Sequence, residues 1–126
     1  MTITLYPTGY PPLQLDPDQT WENTQMLAGD KRGVRVTLYK SGDYLRLAVE
    51  YVSQWGLERN YLRVSKSRLS LEEVAADGRE MAQSILPPGA GFPATPAFET
   101  RQKKLAGTME TLTLHAMTVV LAQAAS

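Results

Sequence analysis

Apolar and polar side chains alternate residue by residue along much of the segment between Gly33 and Lys66. A period of two is typical of β-strands that turn one face to a core and the other to water. The apolar positions in this segment are Val34, Val36, Leu38, Leu45, Leu47, Val49, Tyr51, Leu62 and Val64. Three strands joined by two tight turns satisfy the alternation, so the segment predicts an antiparallel β-meander.

Two glycine-containing dipeptides supply the turns of this meander. Ser41-Gly42 suits a two-residue hairpin loop, because Gly accepts the positive φ of a primed turn. This turn predicts the pairs Tyr39–Tyr44, Leu38–Leu45 and Val36–Leu47. A second turn at Trp55-Gly56 predicts the pairs Val49–Leu62, Leu47–Val64 and Ala48–Arg63. A slip of one residue would put Leu62 and Val64 into water, so the pattern favours these registers.

The composition limits the classes of function. The chain has 126 residues, 43% of them apolar, which is enough for the core of one domain spanning 1–126. Thirteen basic and thirteen acidic residues cancel, whereas a dedicated duplex-DNA or membrane-surface binder usually has a basic excess. There is no cysteine, which excludes disulfides, thiolate catalysis and cysteine-based metal sites. Because neither a signal-peptide pattern nor a long apolar run is present, we expect a cytoplasmic protein with no membrane partner.

The first thirty residues allow two interpretations. The alternation from Thr2 to Tyr6 predicts a short strand, which the proline-rich segment Pro7–Pro12 ends. In Asp16-Pro17-Asp18-Gln19 a capping residue precedes a proline at the first helical position, which predicts a short helix from Asp16 to Ala28. The alternative is an edge strand around Glu22 to Leu27.

A helix is predicted directly after the meander. Ser70 and Glu73 have the spacing of a capping box. The residues that then recur at helical spacing, and should face the sheet, are Leu71, Val74, Met81 and Ile85. Gly78 weakens this helix by about 1 kcal/mol relative to Ala, and Pro87-Pro88 ends it. The loop Pro87–Pro96 is expected to be a surface crossover, long enough to serve as a lid or docking segment.

A longer helix is predicted from about Phe98 to Gln123. One apolar stripe on it consists of Leu105, Met109, Leu112, Ala116 and Val119. A second stripe consists of Leu114, Met117 and Leu121. A helix that is apolar on more than one side either crosses a core or meets a partner. Two interpretations therefore remain open: a homodimer or partner surface, or simple burial under the sheet and the first helix.

No catalytic or metal-binding pattern is present in the sequence. His115 is the only histidine, and without a second His or a Cys we expect a structural or interface role for it rather than a metal site. Phosphate-binding loops, a serine elbow and paired carboxylates are also missing. We therefore expect no cofactor and no catalytic residue, and a binding protein rather than an enzyme.

The predicted wet face of the meander is rich in arginine and tyrosine. Its candidate binding residues are Arg35, Tyr39, Tyr44, Arg46, Arg59, Tyr61 and Arg63, and Lys66 and Arg68 would extend the patch. Three interpretations are open. The face is an ordinary solvated sheet surface, a hot spot for a protein partner, or a platform on which single-stranded bases stack. The zero net charge counts against nucleic acid.

Together these patterns predict an α+β fold, in which a mainly antiparallel meander of three to four strands is packed on one face by C-terminal helices. The leading functional hypothesis is a small non-enzymatic interaction protein of a bacterial type, such as an adaptor, inhibitor or assembly factor. It would use the Arg/Tyr face, the apolar last helix, or both. The alternative is a sequence-tolerant protein that binds single-stranded nucleic acid. A third hypothesis is a small-molecule site between the loop Pro87–Pro96 and the sheet.

Overall fold

A computed structural model describes residues 2–27, 31–54, 60–82 and 96–124, with side chains of the last segment described at 99, 100 and 102–119. The elements are β1 (Ile3–Leu5), β2 (Leu13–Leu15), β3 (Gln19–Met26), β4 (Arg32–Ser41), β5 (Tyr44–Ser53), β6 (Tyr61–Val64), α1 (Leu71–Ala82) and α2 (Pro96–Ala124). Strands β3 to β6 form one antiparallel sheet in chain order, and β1 and β2 form a separate two-stranded hairpin. The α+β class and the C-terminal helices are confirmed.

The core lies between one face of the sheet and the two helices. We call this the helix face; its buried residues are Val34, Val36, Leu38, Leu45, Leu47, Val49 and Tyr51. Helix α1 contributes Val74 and Met81, and α2 contributes Leu105, Met109, Leu112 and Ala116. The apolar periodicity assigned the helix face correctly on β4 and β5. It also identified four residues of the buried stripe of α2, whereas the fifth, Val119, is only partly buried. Within the described residues, neither helix is both long and apolar enough to cross a membrane.

The β4–β5 turn lies one residue later than predicted. Ser41 pairs with Tyr44, so that the two loop residues are Gly42 and Asp43, and Gly42 has a φ of 59°. The predicted pairs are wrong, since Leu38 pairs with Leu47 and Val36 with Val49. The pairing shifts by two residues, and because side chains alternate with a period of two, every residue keeps its predicted face.

The β5–β6 register differs from the prediction by one residue, and this difference exchanges the faces of β6. Val49 pairs with Arg63 and Ala48 with Val64. Leu62 and Val64 therefore lie on the face opposite the helices, whereas Arg63 and Tyr61 lie on the helix side. The predicted register is wrong because it assumed that the opposite face is open to water. The predicted turn at Trp55-Gly56 lies outside the described residues.

The N-terminal hairpin (residues 3–15) covers that opposite face, which we call the hairpin face. The amide of Thr8 donates to the carbonyl of Leu62 at 3.0 Å, and the Leu62 amide donates to Thr8 Oγ1 at 3.0 Å. Leu5 of β1 lines a cavity of about 160 Å³ together with Leu62, Thr37 and Ala48. Thr37 and Ala48 are 4% and 3% exposed, so this face of the central strands is enclosed. The first strand is confirmed as β1, but its partner β2 was not predicted, although Leu13-Gln14-Leu15 also alternates.

Strand β3 occupies the segment for which a helix was predicted. The helix prediction for Asp16 to Ala28 is wrong, and the alternative of an edge strand is confirmed, with bounds Gln19–Met26. The Asp18 amide donates to the Lys40 carbonyl at 2.8 Å, and its carboxylate accepts from the Gly42 amide at 2.6 Å. In the segment that resembled a helix start, Asp18 thus ties the start of β3 to the β4–β5 turn.

Helix α1 begins as predicted. The amide of Glu73 donates to Ser70 Oγ at 3.2 Å, which is the capping interaction expected from the sequence. Gly78 is buried, and a Cβ placed on it would lie 3.3 Å from Thr113 Cγ2 and 3.5 Å from Leu47 Cδ2. This glycine thus permits close approach of α1 to α2 and the sheet. Ile85, the end of the helix at Pro87-Pro88, and nearly all of the loop Pro87–Pro96 lie outside the described residues.

Candidate binding cleft

The arginines and tyrosines of the predicted binding face do not form one open platform. Arg35, Tyr39, Tyr44 and Arg46 lie on the hairpin face, whereas the register of β6 puts Tyr61 and Arg63 on the helix side. Arg59 lies outside the described residues. The prediction that these residues share one face is therefore wrong, and the reason is the one-residue difference in register.

Two of these residues are held by contacts within the fold: Arg35 by hydrogen bonds and Tyr39 by burial. Arg35 Nη1 donates to Glu50 Oε1 at 2.6 Å, and its Nε donates to Thr24 Oγ1 at 3.1 Å. Tyr39 is 8% exposed. Burial, together with the negative charge of Glu22, raises the pKa of the Tyr39 phenol above its ordinary value of 10.0. Tyr39 thus belongs to the enclosed layer beneath the hairpin, whereas Arg35 is partly exposed but bonded to Thr24 and Glu50. Of the four predicted residues on this face, Tyr44 is the widely exposed one.

A cleft of about 620 Å³ lies along the outer edge of β6. We call it the edge cleft. The N-terminal hairpin forms one wall, β6 and the chain that follows it form the floor, and α1 forms the other wall. Its lining residues are Pro7, Tyr10, Pro11, Leu13, Arg46, Tyr61, Arg63, Val64, Ser65, Lys66, Ser67, Arg68, Asp77, Glu80 and Met81. Three predicted binding residues (Arg46, Tyr61 and Arg63) are thus brought together around an edge instead of on a face.

Arg68 fixes the floor of the edge cleft to α1. Its Nε and Nη2 donate to the two carboxylate oxygens of Asp77 at 2.8 and 2.9 Å. Its backbone amide and carbonyl both pair with Leu45 at 2.7 Å. Hydrogen bonds to Asp77, followed by the attraction of that carboxylate, raise the pKa of Arg68. The charge of Arg68 is therefore compensated inside the protein, and we assign the residue a structural role.

Arg46 and Lys66 have fewer hydrogen-bond and ion-pair partners than Arg68. Arg46 Nη2 donates to Ser67 Oγ at 3.1 Å, while its buried Nε has no acceptor. Lys66 is exposed, and no carboxylate of the described residues forms an ion pair with it. Four cationic side chains and two carboxylates line the cleft. Although the whole chain has no net charge, Arg46 and Lys66 form no ion pair within the described residues and give this cleft a local positive charge.

One residue of β6 directs unpaired backbone groups into the cleft. The amide of Ser65 donates to the Leu47 carbonyl at 2.8 Å, so that Tyr61, Arg63 and Ser65 direct their backbone groups at β5. Leu62 and Val64 direct theirs away from the sheet. Thr8 takes up those of Leu62, whereas those of Val64 have no partner within the described residues. A single unpaired position of a strand edge is thus exposed to the edge cleft.

Tyr10 belongs to the cleft but was not among the predicted site residues. It is 76% exposed and stands between Gly9, which has a φ of 80°, and Pro11. An aromatic residue in a proline-rich turn was the available signal. Its position could not be inferred without knowing that the N-terminal hairpin folds back against β6.

The other predicted sites lie on α2. Leu114 is 61% exposed, Met117 packs against the core, and the side chain of Leu121 lies outside the described residues. His115 contacts Trp21 edge-on, with ring centroids 5.5 Å apart. Within the described part of the chain, no three His, Asp or Glu side chains are grouped so that they could hold a metal ion. The role of the second apolar stripe as a dimer or partner surface stays a prediction.

Comparisons of the chain with protein-family models, with curated proteins and with solved structures found no match.

Proposed function

We propose that this protein is a small non-enzymatic interaction module that holds a segment of a protein partner in the edge cleft. The observation that carries the proposal is that one concave surface combines tyrosines, an open strand edge and two cations, Arg46 and Lys66, that form no ion pair within the described residues. Adaptor, inhibitor and assembly-factor roles, in the cytoplasm, all fit such a module.

The lining of the cleft supports a protein partner. Tyrosine and arginine are the residues that most often dominate protein interfaces, and they do so when they stand in a partly enclosed pocket. Tyr10 and Tyr61 lie in the cleft with Arg46 and Arg63. The prolines of the hairpin wall add rigid apolar surface, which costs little conformational entropy on binding.

Single-stranded nucleic acid is the second candidate, and the cations of the cleft are the observation that favours it. Base-stacking proteins arrange several aromatic rings on a continuous open sheet surface. Here Tyr39 is buried and Tyr44 lies outside the cleft, which leaves two rings for stacking. The protein partner is therefore the better-supported function. A homodimer through Leu114 of α2 is a separate prediction that does not depend on the cleft.

A peptide-display selection with matched variants tests the proposal. We expect random twelve-residue peptides to be enriched on the wild-type protein and to lose most of their binding to Tyr10→Ala and Lys66→Ala. Tyr44→Ala and Lys104→Ala are the controls, since both remove the same side-chain types from exposed positions outside the cleft. All four sites are exposed, so the variants should fold.

Two results would contradict the proposal. The first is a selection that enriches no peptide. The second is a set of peptides that bind the cleft variants and the control variants equally well. Oligothymidylate that binds wild-type protein at low salt and is lost from Lys66→Ala, in the absence of any selected peptide, would transfer the assignment to single-stranded nucleic acid.

A further inference from the structure

We infer that the partner segment is an extended acidic peptide that adds a strand to the edge of β6, with its backbone paired to Val64. This inference rests on the proposed function and specifies the chemistry and the geometry of the ligand. It follows from the hydrogen bonds of the strand edge, from the charges of the cleft and from the difference between its two walls.

The protein already uses this edge to bind an extended chain. Thr8, in the connection between β1 and β2, donates its amide to the Leu62 carbonyl and accepts from the Leu62 amide through Oγ1, both at 3.0 Å. These are the contacts that one residue of an added strand would make, with a side-chain oxygen replacing a carbonyl. The edge of β6 is therefore shaped and accessible for pairing at Leu62, and Val64 is the next outward-directed position.

The same contacts fix where an added strand must stop. Because Thr8 occupies the edge at Leu62, a ligand strand can pair with Val64 but cannot continue past it toward Tyr61. It must extend the other way, along Ser65 and Lys66. Lys66 uses its own carbonyl to accept from Ser65 Oγ at 2.9 Å, so main-chain pairing is short and side-chain contacts must supply the rest of the affinity.

The charges of the cleft favour acidic side chains on the ligand. Asp77 compensates Arg68 through two hydrogen bonds. Lys66 has no ion pair within the described residues, and Arg46 keeps a buried Nε without an acceptor. A carboxylate at this end of the cleft would meet two cations, with Glu80 as the opposing charge.

The two walls favour an alternating peptide. Side chains of an added strand point alternately to the two sides of the sheet. The hairpin wall presents Tyr10, Pro11 and Leu13, whereas the α1 wall presents Glu80 and Met81. Arg46 lies on the hairpin side of the sheet, whereas Glu80 would repel a carboxylate on the α1 side. An acidic residue therefore suits the hairpin side and an apolar residue suits the α1 side. A strand in which apolar and acidic residues alternate fits both the walls and the cations.

The other open edge of the sheet provides a matched control. On β3, the register directs the backbone groups of Thr20 away from β4, as it directs those of Val64 away from β5. This edge carries Glu22, and no cation of the edge cleft lies beside it. Replacing Thr20 by proline removes an outward amide there, just as replacing Val64 removes one in the cleft, and proline is tolerated at such edge positions.

The experiment titrates a fluorescein-labelled octapeptide of alternating Glu and Val into the protein and follows anisotropy. We expect Val64→Pro to weaken binding by about tenfold, because one amide donor is lost and a peptide carbonyl is left unpaired. Thr20→Pro should bind as the wild type does. An octapeptide of alternating Lys and Val should bind at least about tenfold more weakly than the acidic peptide.

Hydrogen exchange of the wild-type protein tests the inference without any proline substitution. The Val64 amide should exchange freely without peptide and become protected when the acidic octapeptide is bound. Equal binding by Val64→Pro, no gain in protection at Val64, or no preference for the acidic peptide would overturn the inference. If display-selected peptides still require Tyr10 and Lys66 in that case, the proposed function stands and only the strand-addition mode is lost. If they do not, both are wrong.

Discussion

The two faces of the four-stranded sheet are both covered, but by different kinds of layer. On the helix face, Val34, Val36, Leu47, Val49 and Tyr51 are fully buried under α1 and α2. On the hairpin face, a layer of two three-residue strands encloses a mixture of apolar and ionic side chains. Arg35 and Glu50 form an ion pair there, close to Thr37, Ala48 and Leu62.

The contrast between the two faces shows what an alternating pattern can and cannot determine. Alternation states which side of a sheet a residue occupies, since successive side chains point to opposite faces. It does not state whether the more polar side is wet. Here the polar side is enclosed around Thr37 and Ala48. Short polar residues and the neighbouring ion pair make that possible because their polar groups are satisfied within the protein.

Replacing one leucine on each face by alanine should change the free energy of unfolding more than any other substitution proposed for this comparison. Leu47→Ala should lower the free energy of unfolding by about 2–5 kcal/mol, because it leaves a cavity among fully buried neighbours. Leu62→Ala, on the half-buried hairpin face, should cost about 1 kcal/mol. Urea denaturation at neutral pH measures both. Equal losses would mean that the hairpin seals its face as tightly as the helices seal theirs.

A pair of glycines tests how closely the helix layer is packed. Gly107→Ala, on an exposed position of α2 with nothing within 4 Å of the new Cβ, should stabilise the protein by about 1 kcal/mol through helix propensity. Gly78→Ala should lack this gain, because its Cβ would lie 3.3 Å from Thr113 Cγ2. Thr113 has little freedom to move away, since its Oγ1 donates to the Met109 carbonyl at 2.8 Å. Equal gains in thermal denaturation would show slack between the helices.

The parts of the fold that were predicted correctly depend on local signals. The capping interaction of Ser70, the buried stripe of α2 and the faces of β4 and β5 follow from spacing alone. The segment around Asp16 failed because the same residues serve two structures. Asp16-Pro17 suits a helix start, yet Asp18 hydrogen-bonds to the β4–β5 turn, and a contact 24 residues along the chain has no local signal.

The candidate site was predicted in composition but not in arrangement. Arg46, Tyr61 and Arg63 were selected for their chemistry, and all three line the edge cleft. Their arrangement depends on the β5–β6 register, which the apolar pattern of β6 could not set, because both faces of the sheet accept Leu62 and Val64. Tyr10 lies in the cleft because Thr8 hydrogen-bonds to Leu62. This tertiary contact has no local signal in the sequence.

The coupling energy of the Arg35–Glu50 pair should be smaller than the changes above. Its size and salt dependence show how far water is excluded from the hairpin face. The side chains are 38% and 19% exposed and their closest atoms lie 2.6 Å apart. A double-mutant cycle of Arg35→Gln and Glu50→Gln should give a coupling of about 0.5–1 kcal/mol that falls as salt is added. The cycle with Glu22→Gln, whose carboxylate lies 3.8 Å from Arg35 and is 55% exposed, should give less. A salt-insensitive coupling above about 2 kcal/mol would mean that the hairpin excludes water as the helices do. No coupling in either cycle would mean that the hairpin leaves the pair in water, and the two faces would then differ in kind and not only in degree.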